Sequence, residues 1–336
     1  MEILAEGKGR LLGWHDPDEH RRWVRDNKPR ELKDKRMSVG DAVERFVHDG
    51  DLLTFGGFGH VRVSMAFVYE IIRQRRRDLV VLTKTGVHDV DLLIGAGCVR
   101  MVEVAYAFGH ELRGLSPAGR RAAESGEVEV VAEISNAGFQ WRLLAGAMGI
   151  PFIPARVMLG TDTFEKSVGK VARDPWSGER LCLLPSCNPD VAILHVHRCD
   201  QYGNAQIDGI LVMDFELARA ARRLLVTTEE IVGEEVIRAH PDRTTIPFFL
   251  VDAVCEVPFG AHPALMPYLY YFDEAHIHEW LTLSKTEEGT QAYLNKYVYA
   301  VPDFEAYLER VGGVRKLNHL KRVEQLRAPI LEEEIG

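Results

Sequence analysis

Residues 50–64, GDLLTFGGFGHVRVS, constrain the fold more than any other stretch of the chain. Leu52 to Phe55 is a short apolar run of strand type, and Gly56, Gly57 and Gly59 follow at once. Glycines there permit a turn that side chains obstruct. Ser64 then stands where a helix N-cap belongs, and Phe67, Val68, Ile71 and Ile72 fall on one face of the helix it would start. Arg73, Arg75, Arg76 and Arg77 suit the negative end of that helix's dipole. Residues 78–82 read as the next strand. Strand, glycine turn, helix and strand make a βαβ unit whose turn lies at the carboxyl end of the first strand, where open α/β sheets bind ligands. Free backbone N–H groups in such a turn can face a phosphate or a developing oxyanion.

The turn excludes several nucleotide readings. Arg62 stands where a dinucleotide fingerprint needs its third glycine, and Thr83-Lys84 ends the next strand in place of an acid for the ribose. No GxxxxGK[ST] segment and no GxSxG elbow occurs, which excludes a P-loop and argues against the usual serine hydrolase. By itself a GGFG turn is as often only a tight corner.

Lys and Arg total 41 against 50 Asp and Glu, a net charge of −9, which argues against nucleic acid or an anionic membrane as the main partner. No apolar run approaches the roughly 18–20 residues of a membrane span, and residues 1–8 lack a signal-peptide core, so the expected compartment is the cytoplasm. Cys98, Cys182, Cys187, Cys199 and Cys255 are scattered with no CxxC, as reduced, mostly buried thiols would be.

The chain divides into a charged, irregular extension at 1–37 lying on the surface or on a partner, one domain at 38–325, and a tail at 326–336. A short helix is expected over 38–48, an apolar helical turn over 92–97, and helices over 117–125, 136–148, 215–223, 286–298 and 304–311. Strands are expected over 99–106, 128–134, 150–159, 181–184, 191–196 and 224–227, with a long one over 247–257. Residues 200–204 form a turn closing a hairpin on 205–207. Residues 160–178 lack a strong period and read as a long loop, of the kind that is usually functional or disordered. Ser284 and Glu287 make a capping box.

His195, His197 and Cys199 alternate as three ligands on one strand face would, yet the segment reads better as the end of a sheet strand, and no metal is expected. His276 and His278 lie in a polar amphipathic stretch and fit solvated or capping roles. The paired acids Glu229-Glu230, Glu234-Glu235 and Glu287-Glu288 fit helix starts, with no sign of the apolar pocket a catalytic acid needs. Gly260-Ala261-His262-Pro263 follows an apolar strand, which puts His262 either on a cleft or in a turn.

These landmarks together resemble family I coenzyme A transferases, and within them the α (A) subunit of glutaconate CoA-transferase and its relatives. The resemblance runs from about residue 37 to 325. It rests on Gly50-Asp51, Gly56-Gly57-Phe58, Arg62, Asp91-Leu-Leu-Ile-Gly95-Ala-Gly97, Pro151-Phe-Ile-Pro154, Gly203-Asn204, Val251-Asp252-Ala253-Val254, Gly260-Ala-His262-Pro263 and Ser284-Lys285-Thr286. It implies an α/β fold with an open, mostly parallel sheet flanked by helices, the NagB-like fold of that family. It implies a homologous β subunit carrying the nucleophilic Glu, CoA as substrate, and no other cofactor. It implies ping-pong chemistry in which that Glu attacks an acyl-CoA thioester, forms an acyl anhydride and then holds CoA as a thioester. Gly56, Gly57, Phe58, Gly59, Arg62, Ser135, Asn136, Gly260 and His262 are the expected substrate or CoA contacts, with Arg62 facing a distal carboxylate or the CoA phosphates.

Three departures are informative. Ser64 replaces the Pro of most members, and Met65-Ala66 replaces the Glu-Asn of the succinyl-CoA:3-oxoacid branch. A related branch, acting in steroid degradation, hydrolyses a ring carbon–carbon bond of an acyl-CoA and carries an acid where this chain has Ser135-Asn136. A ligand-binding regulator on a similar scaffold would need a DNA-binding segment, and none is evident.

Overall fold

The computed structural model describes residues 2–330. In chain order the strands are β1 (Ile3–Glu6), β2 (Leu52–Phe55), β3 (Leu79–Lys84), β4 (Val99–Tyr106), β5 (Glu129–Glu133), β6 (Phe152–Ala155) and β7 (Lys170–Arg173). They continue with β8 (Arg180–Pro185), β9 (Val191–Cys199), β10 (Ala205–Gln206), β11 (Arg223–Ile231), β12 (Thr244–Ile246) and β13 (Ala253–Glu256).

Seven of these strands form a parallel sheet in the order β5-β4-β3-β2-β9-β11-β13. β10 and β12 add an antiparallel ribbon at the carboxyl end of β9. The inner strands are apolar along nearly their whole length, as a sheet covered on both faces requires. Successive side chains enter different cores: Leu53, Val81 and Ile193 pack on one face, and Leu52, Leu82 and Leu194 on the other. The first face is covered by the helices Val39–Phe46, Met65–Arg73 and His88–Gly95, the second by Asn136–Met148 and Asp214–Ala220. Buried Arg142 ties the second layer together: its guanidinium meets Glu103 on β4, Pro185 O and Leu12 O.

Chain order reverses between β2 and β9. From β2 the chain moves outward through β3, β4 and β5, then returns to lay β9, β11 and β13 on the other side. At such a switch the two following loops diverge and leave a crevice at the carboxyl ends of the strands.

Several elements differ from the sequence expectations. Residues 1–37 are not irregular: β1 pairs with β7, and Pro17–Asn27 is a helix capped by Asp16. The segment is anchored on this chain by buried Lys28, whose Nζ lies 2.5 Å from Asp252 Oδ2. Residues 160–178 hold the short helix Asp162–Glu165 and β7, which joins β1, β8 and β6 in a second, antiparallel sheet. The span 247–257 is broken into a 3-10 turn, Phe248–Leu250, and the short β13. The helix after residue 284 is capped by Thr286, whose side chain accepts from Gly289 N–H, not by Ser284. Two further helices, Glu274–Leu283 and Gly313–Glu324, complete a C-terminal helical layer. Residues 331–336 of the expected tail lie outside the described residues.

That layer changes the character of the helix Met65–Arg73. Its expected apolar face is buried, and so are Met65, Ala66 and Tyr69 on its other sides. Tyr69 OH pairs with Tyr293 OH at 2.8 Å, and the Tyr69 ring packs on Phe304 and Tyr307. Among the described residues no helix is long and apolar enough to cross a membrane.

Candidate active site

The glycine turn follows β2 at the switch point. Gly57 has φ +82°, and a Cβ on it would lie 2.4 Å from Val61 O, so the turn closes on itself too tightly for a side chain. The turn's donors are committed to the protein. Gly56 N–H donates to Ile193 O, Phe58 N–H to Val61 O, Gly59 N–H to Thr85 O and Gly57 N–H to Asp214 Oδ1. Here the structure corrects the sequence reading: these amides fasten the turn to β9 and to the loop after β3 and do not form a free anion cradle. The helix N-terminus at Met65 is likewise covered, with Ala66 N–H donating to Gly260 O.

Arg62 is engaged inside the protein. It is 1% exposed, with φ +58°, and its guanidinium forks onto both Asp214 oxygens at 2.9 and 2.6 Å. The same group donates to His195 O and Ile210 O. Burial alone would raise the Asp214 carboxyl; the Arg62 charge and hydrogen bonds from Arg62, Val212 N–H and Gly57 N–H overcome it and hold the carboxyl below its ordinary value. Nη1 and Nη2 are thus spent on protein acceptors, while Nε has no partner among the described residues.

The residue that sequence reasoning missed is Glu229. It lies on β11, not at a helix start, two residues beyond Thr227 on the same face. Its Oε1 meets His195 Nε2 at 2.7 Å and accepts from Tyr270 OH at 2.5 Å, while Oε2 accepts from Phe259 N–H at 2.7 Å. From His195 the network runs through Nδ1 to Thr227 Oγ1 at 2.8 Å and on to Ser64 Oγ at 2.7 Å. Ser64 therefore spends its hydroxyl on β11 and not on capping its helix. His197 is also satisfied, with Nε2 on Pro267 O and Nδ1 accepting from Asp208 N–H. The alternating histidines bind the sheet to its loops and do not converge on a metal.

Gly260 packs under this network, where a Cβ would lie 2.8 Å from His195 Cε1. The backbone beyond it, at Leu265, exchanges hydrogen bonds with His60 O and Arg62 N–H, so the two loops form one layer. His262 is fully buried between Tyr307 OH and Asp273 Oδ2, at 2.7 and 3.1 Å, and lines no cleft in this arrangement.

A cavity of about 10 Å³, room for a single water, lies over β2 and β3, between Gly56, Gly57 and Phe58 on one side and Thr83, Lys84, Thr85, Gly86 and Asp89 on the other. Phe58 is exposed at its mouth. Lys84 Nζ donates to Gln140 Oε1 at 2.7 Å, and Gln140 Nε2 donates to Glu216 Oε1 at 3.1 Å. Partial burial lowers the Lys84 ammonium, opposed by Glu216 and Asp214. Ser135 caps the helix Asn136–Met148 through Gly138 N–H, and Asn136 is exposed. Both stand at the carboxyl end of β5, three strand positions or about 14 Å from β2. The structure thus joins Gly56–Gly59, Arg62, Gly260 and their loops in one layer and leaves Ser135-Asn136 on the rim.

The model of the family described as Coenzyme A transferase matches residues 36–257, two thirds of the chain and all of the parallel sheet. The chain belongs to the coenzyme A transferase family. It is 33% identical over 301 residues to the A subunit of glutaconate CoA-transferase of Acidaminococcus fermentans, covering 84% of this chain and 94% of that one. The crystal structure of glutaconate CoA-transferase from the same organism matches with a TM-score of 0.81 at 31% identity, over 85% of this chain and 95% of that chain. An uncharacterized protein of Archaeoglobus fulgidus is 63% identical over 97% of this chain and 73% of its own length. The chain is also 29% identical to the cholesterol ring-cleaving hydrolase IpdA subunit of Mycobacterium tuberculosis, over 84% of this chain and all of that one. The crystal structure of a variant of the decarboxylase AibA/AibB matches with a TM-score of 0.70 at 30% identity, over 78% of this chain and 98% of that chain. This coenzyme A transferase chain is therefore of the A-subunit type by likeness, within a family whose members named here include a transferase, a hydrolase and a decarboxylase.

Proposed function

We propose that this chain is the α subunit of a two-subunit CoA-transferase that moves CoA between an acyl-CoA and a mono- or dicarboxylic acid. The observation that carries the reading is the likeness to the A subunit of glutaconate CoA-transferase over nearly the whole of that polypeptide. The site agrees with a division of labour. Glu229 accepts three hydrogen bonds and Asp214 is ion-paired with Arg62, so both carboxylates are engaged by the protein itself.

In this reading the nucleophile is a Glu of the partner. Its carboxylate attacks the thioester carbonyl, the C–S bond breaks and CoA leaves as thiolate. The thiolate then attacks the glutamyl carbonyl of the anhydride and displaces the first acid as carboxylate. The acceptor acid reverses the sequence. This chain supplies the wall of the crevice at Gly56 to Phe58 and the polar rim of Lys84, Gln140 and Glu216. The test is inactivation of the two-subunit complex by borohydride in the presence of acyl-CoA, which reduces an enzyme thioester. The reduced residue is expected on the partner; a label on Glu111, Glu216 or Glu229 of this chain overturns the proposal.

A second reading is a hydrolase subunit that opens a ring of an acyl-CoA, favoured by the full-length likeness to the cholesterol ring-cleaving subunit. The rim at Ser135-Asn136 offers no acid for it. CoA exchange between labelled acyl-CoA and free acid, with no water-dependent product, separates the two.

A further inference from the structure

His60, His88 and His110 are buried together, each with one ligating atom within 4.8 Å of the others'. Their ring centroids stand 5.2, 5.8 and 6.1 Å apart. They come from three successive loops on one side of the sheet. His60 follows the glycine turn after β2, His88 opens the helix after β3, and His110 lies in the loop after β4. Four ring nitrogens in this group have no polar partner, His60 Nε2, both nitrogens of His88 and His110 Nδ1, and His110 Nε2 has only Asp91 Oδ2 at 3.4 Å. Buried polar atoms nearly always find a partner, and four orphans in one cluster of three rings demand a reason. The surroundings are aromatic, with Phe272 set edge-on to His60 and Trp280 to His88, so the rings have little else to bond.

We propose that these three histidines are a metal site, and that its occupant is a divalent cation that prefers imidazole, zinc first. Two carboxylates already stand as such sites arrange them. Glu111 Oε2 lies 2.9 Å from His60 Nδ1, with Arg113 Nη1 at 3.4 Å from the same atom, and a Nδ1–H that donates to Glu111 leaves the Nε2 lone pair free. Asp91 Oδ2 lies 3.4 Å from His110 Nε2, and Asp91 is itself held by Gly119 N–H and Trp280 Nε1. The bound ion ties the loops after β2, β3 and β4 to one point. Its role is structural, since all three rings are about 1% exposed or less. The proposal stands apart from the transferase reading, because it concerns only this chain's fold.

The experiment uses the full chain made without a polyhistidine tag in zinc-supplemented medium. Elemental analysis is expected to find about one zinc per chain, as for a single site. After chelation, Co²⁺ is expected to restore one equivalent with the intense visible bands of an ion held by three imidazoles and completed by one water, and Zn²⁺ to raise the Tm by roughly 3 °C or more. His88→Ala and His110→Ala are expected to abolish both signals. No uptake of Zn²⁺ or Co²⁺ by the metal-free wild-type chain overturns the site, and so does full binding by a folded His88→Ala chain. Should the variants not fold, the wild-type cobalt titration decides alone.

Discussion

At the scale of single residues, the Arg62–Asp214 pair shows how a side chain of ligand-binding type is spent inside the protein. Both groups are within 1% of full burial, and the pair is worth keeping only while both members are present. Arg62→Ala is expected to lower unfolding free energy by about 3–5 kcal/mol, because Asp214 is left as a buried unpaired carboxylate. Urea denaturation reads this directly. Loss of turnover should follow stability and fall equally on mono- and dicarboxylic acyl substrates; selective loss for dicarboxylic ones would return Arg62 to the substrate. Asp214 is depressed in the fold, so its contribution is present above the ordinary carboxylate range and is lost as pH falls through the folded value. His20 carries the opposite kind of strain. Burial, with Arg222, His15 and Lys28 around it, lowers its imidazole from 6.5 to about 4. Below pH 6.5 the unfolded chain therefore binds a proton that the folded chain refuses, and stability falls as pH drops toward 4. His20→Leu should remove that loss. Its Tm relative to wild type should climb steadily as the pH is lowered from 6.5 to 4, and a flat difference would dismiss His20 as the cause.

At the scale of elements, the glycine turn was legible and its purpose was not. Leu52-Leu-Thr-Phe and the residues after Ser64 carry strong local signals, so strand, turn and helix fall where the pattern puts them. The amides of the turn, however, are satisfied by Ile193, Thr85 and Asp214, which are distant in the chain. Gly57→Val should cost about 1–3 kcal/mol from the φ +82° backbone alone, before the clash with Val61 O is counted. Thermal unfolding of the variant is the check, and an unchanged Tm would mean that the turn can rearrange. The same distinction explains the other misplaced elements. β1 and β7 are too short to announce themselves, and become strands because each completes the other's hydrogen bonds. Glu229 looked like a helix-start acid beside Glu230, and only the extension of β11 alongside β9 set it against His195.

At the scale of the whole molecule, the loops at the carboxyl end of the sheet expose large apolar side chains. Leu112 and Leu115 follow β4, Ile210 and Leu211 precede the helix Asp214–Ala220, and Phe58 tips the glycine turn. This surface suits a partner subunit. The chain purified alone is expected to be inactive and to self-associate, which light scattering would report. Ile210→Glu and Leu211→Glu together should prevent complex formation with the partner while leaving this chain's Tm within about 1 °C, as surface substitutions do. Retention of the complex would move the interface elsewhere.

The sequence alone determined what depends on local pattern: the α/β alternation, the parallel sheet, the tight glycine turn after its first central strand, and the motif order that marks a coenzyme A transferase. Periodicity and glycine placement are properties of neighbours in the chain, so they survive in a string of letters. Tertiary structure decided the fate of individual polar groups. Arg62 meets Asp214 across 152 positions, His195 meets Glu229 across 34, and His60, His88 and His110 meet only because three parallel strands end side by side. Whether a charged or titratable side chain binds a ligand or another side chain is set by what the sheet order brings within about 3 Å of it, and strand order is a long-range property that no local spacing encodes.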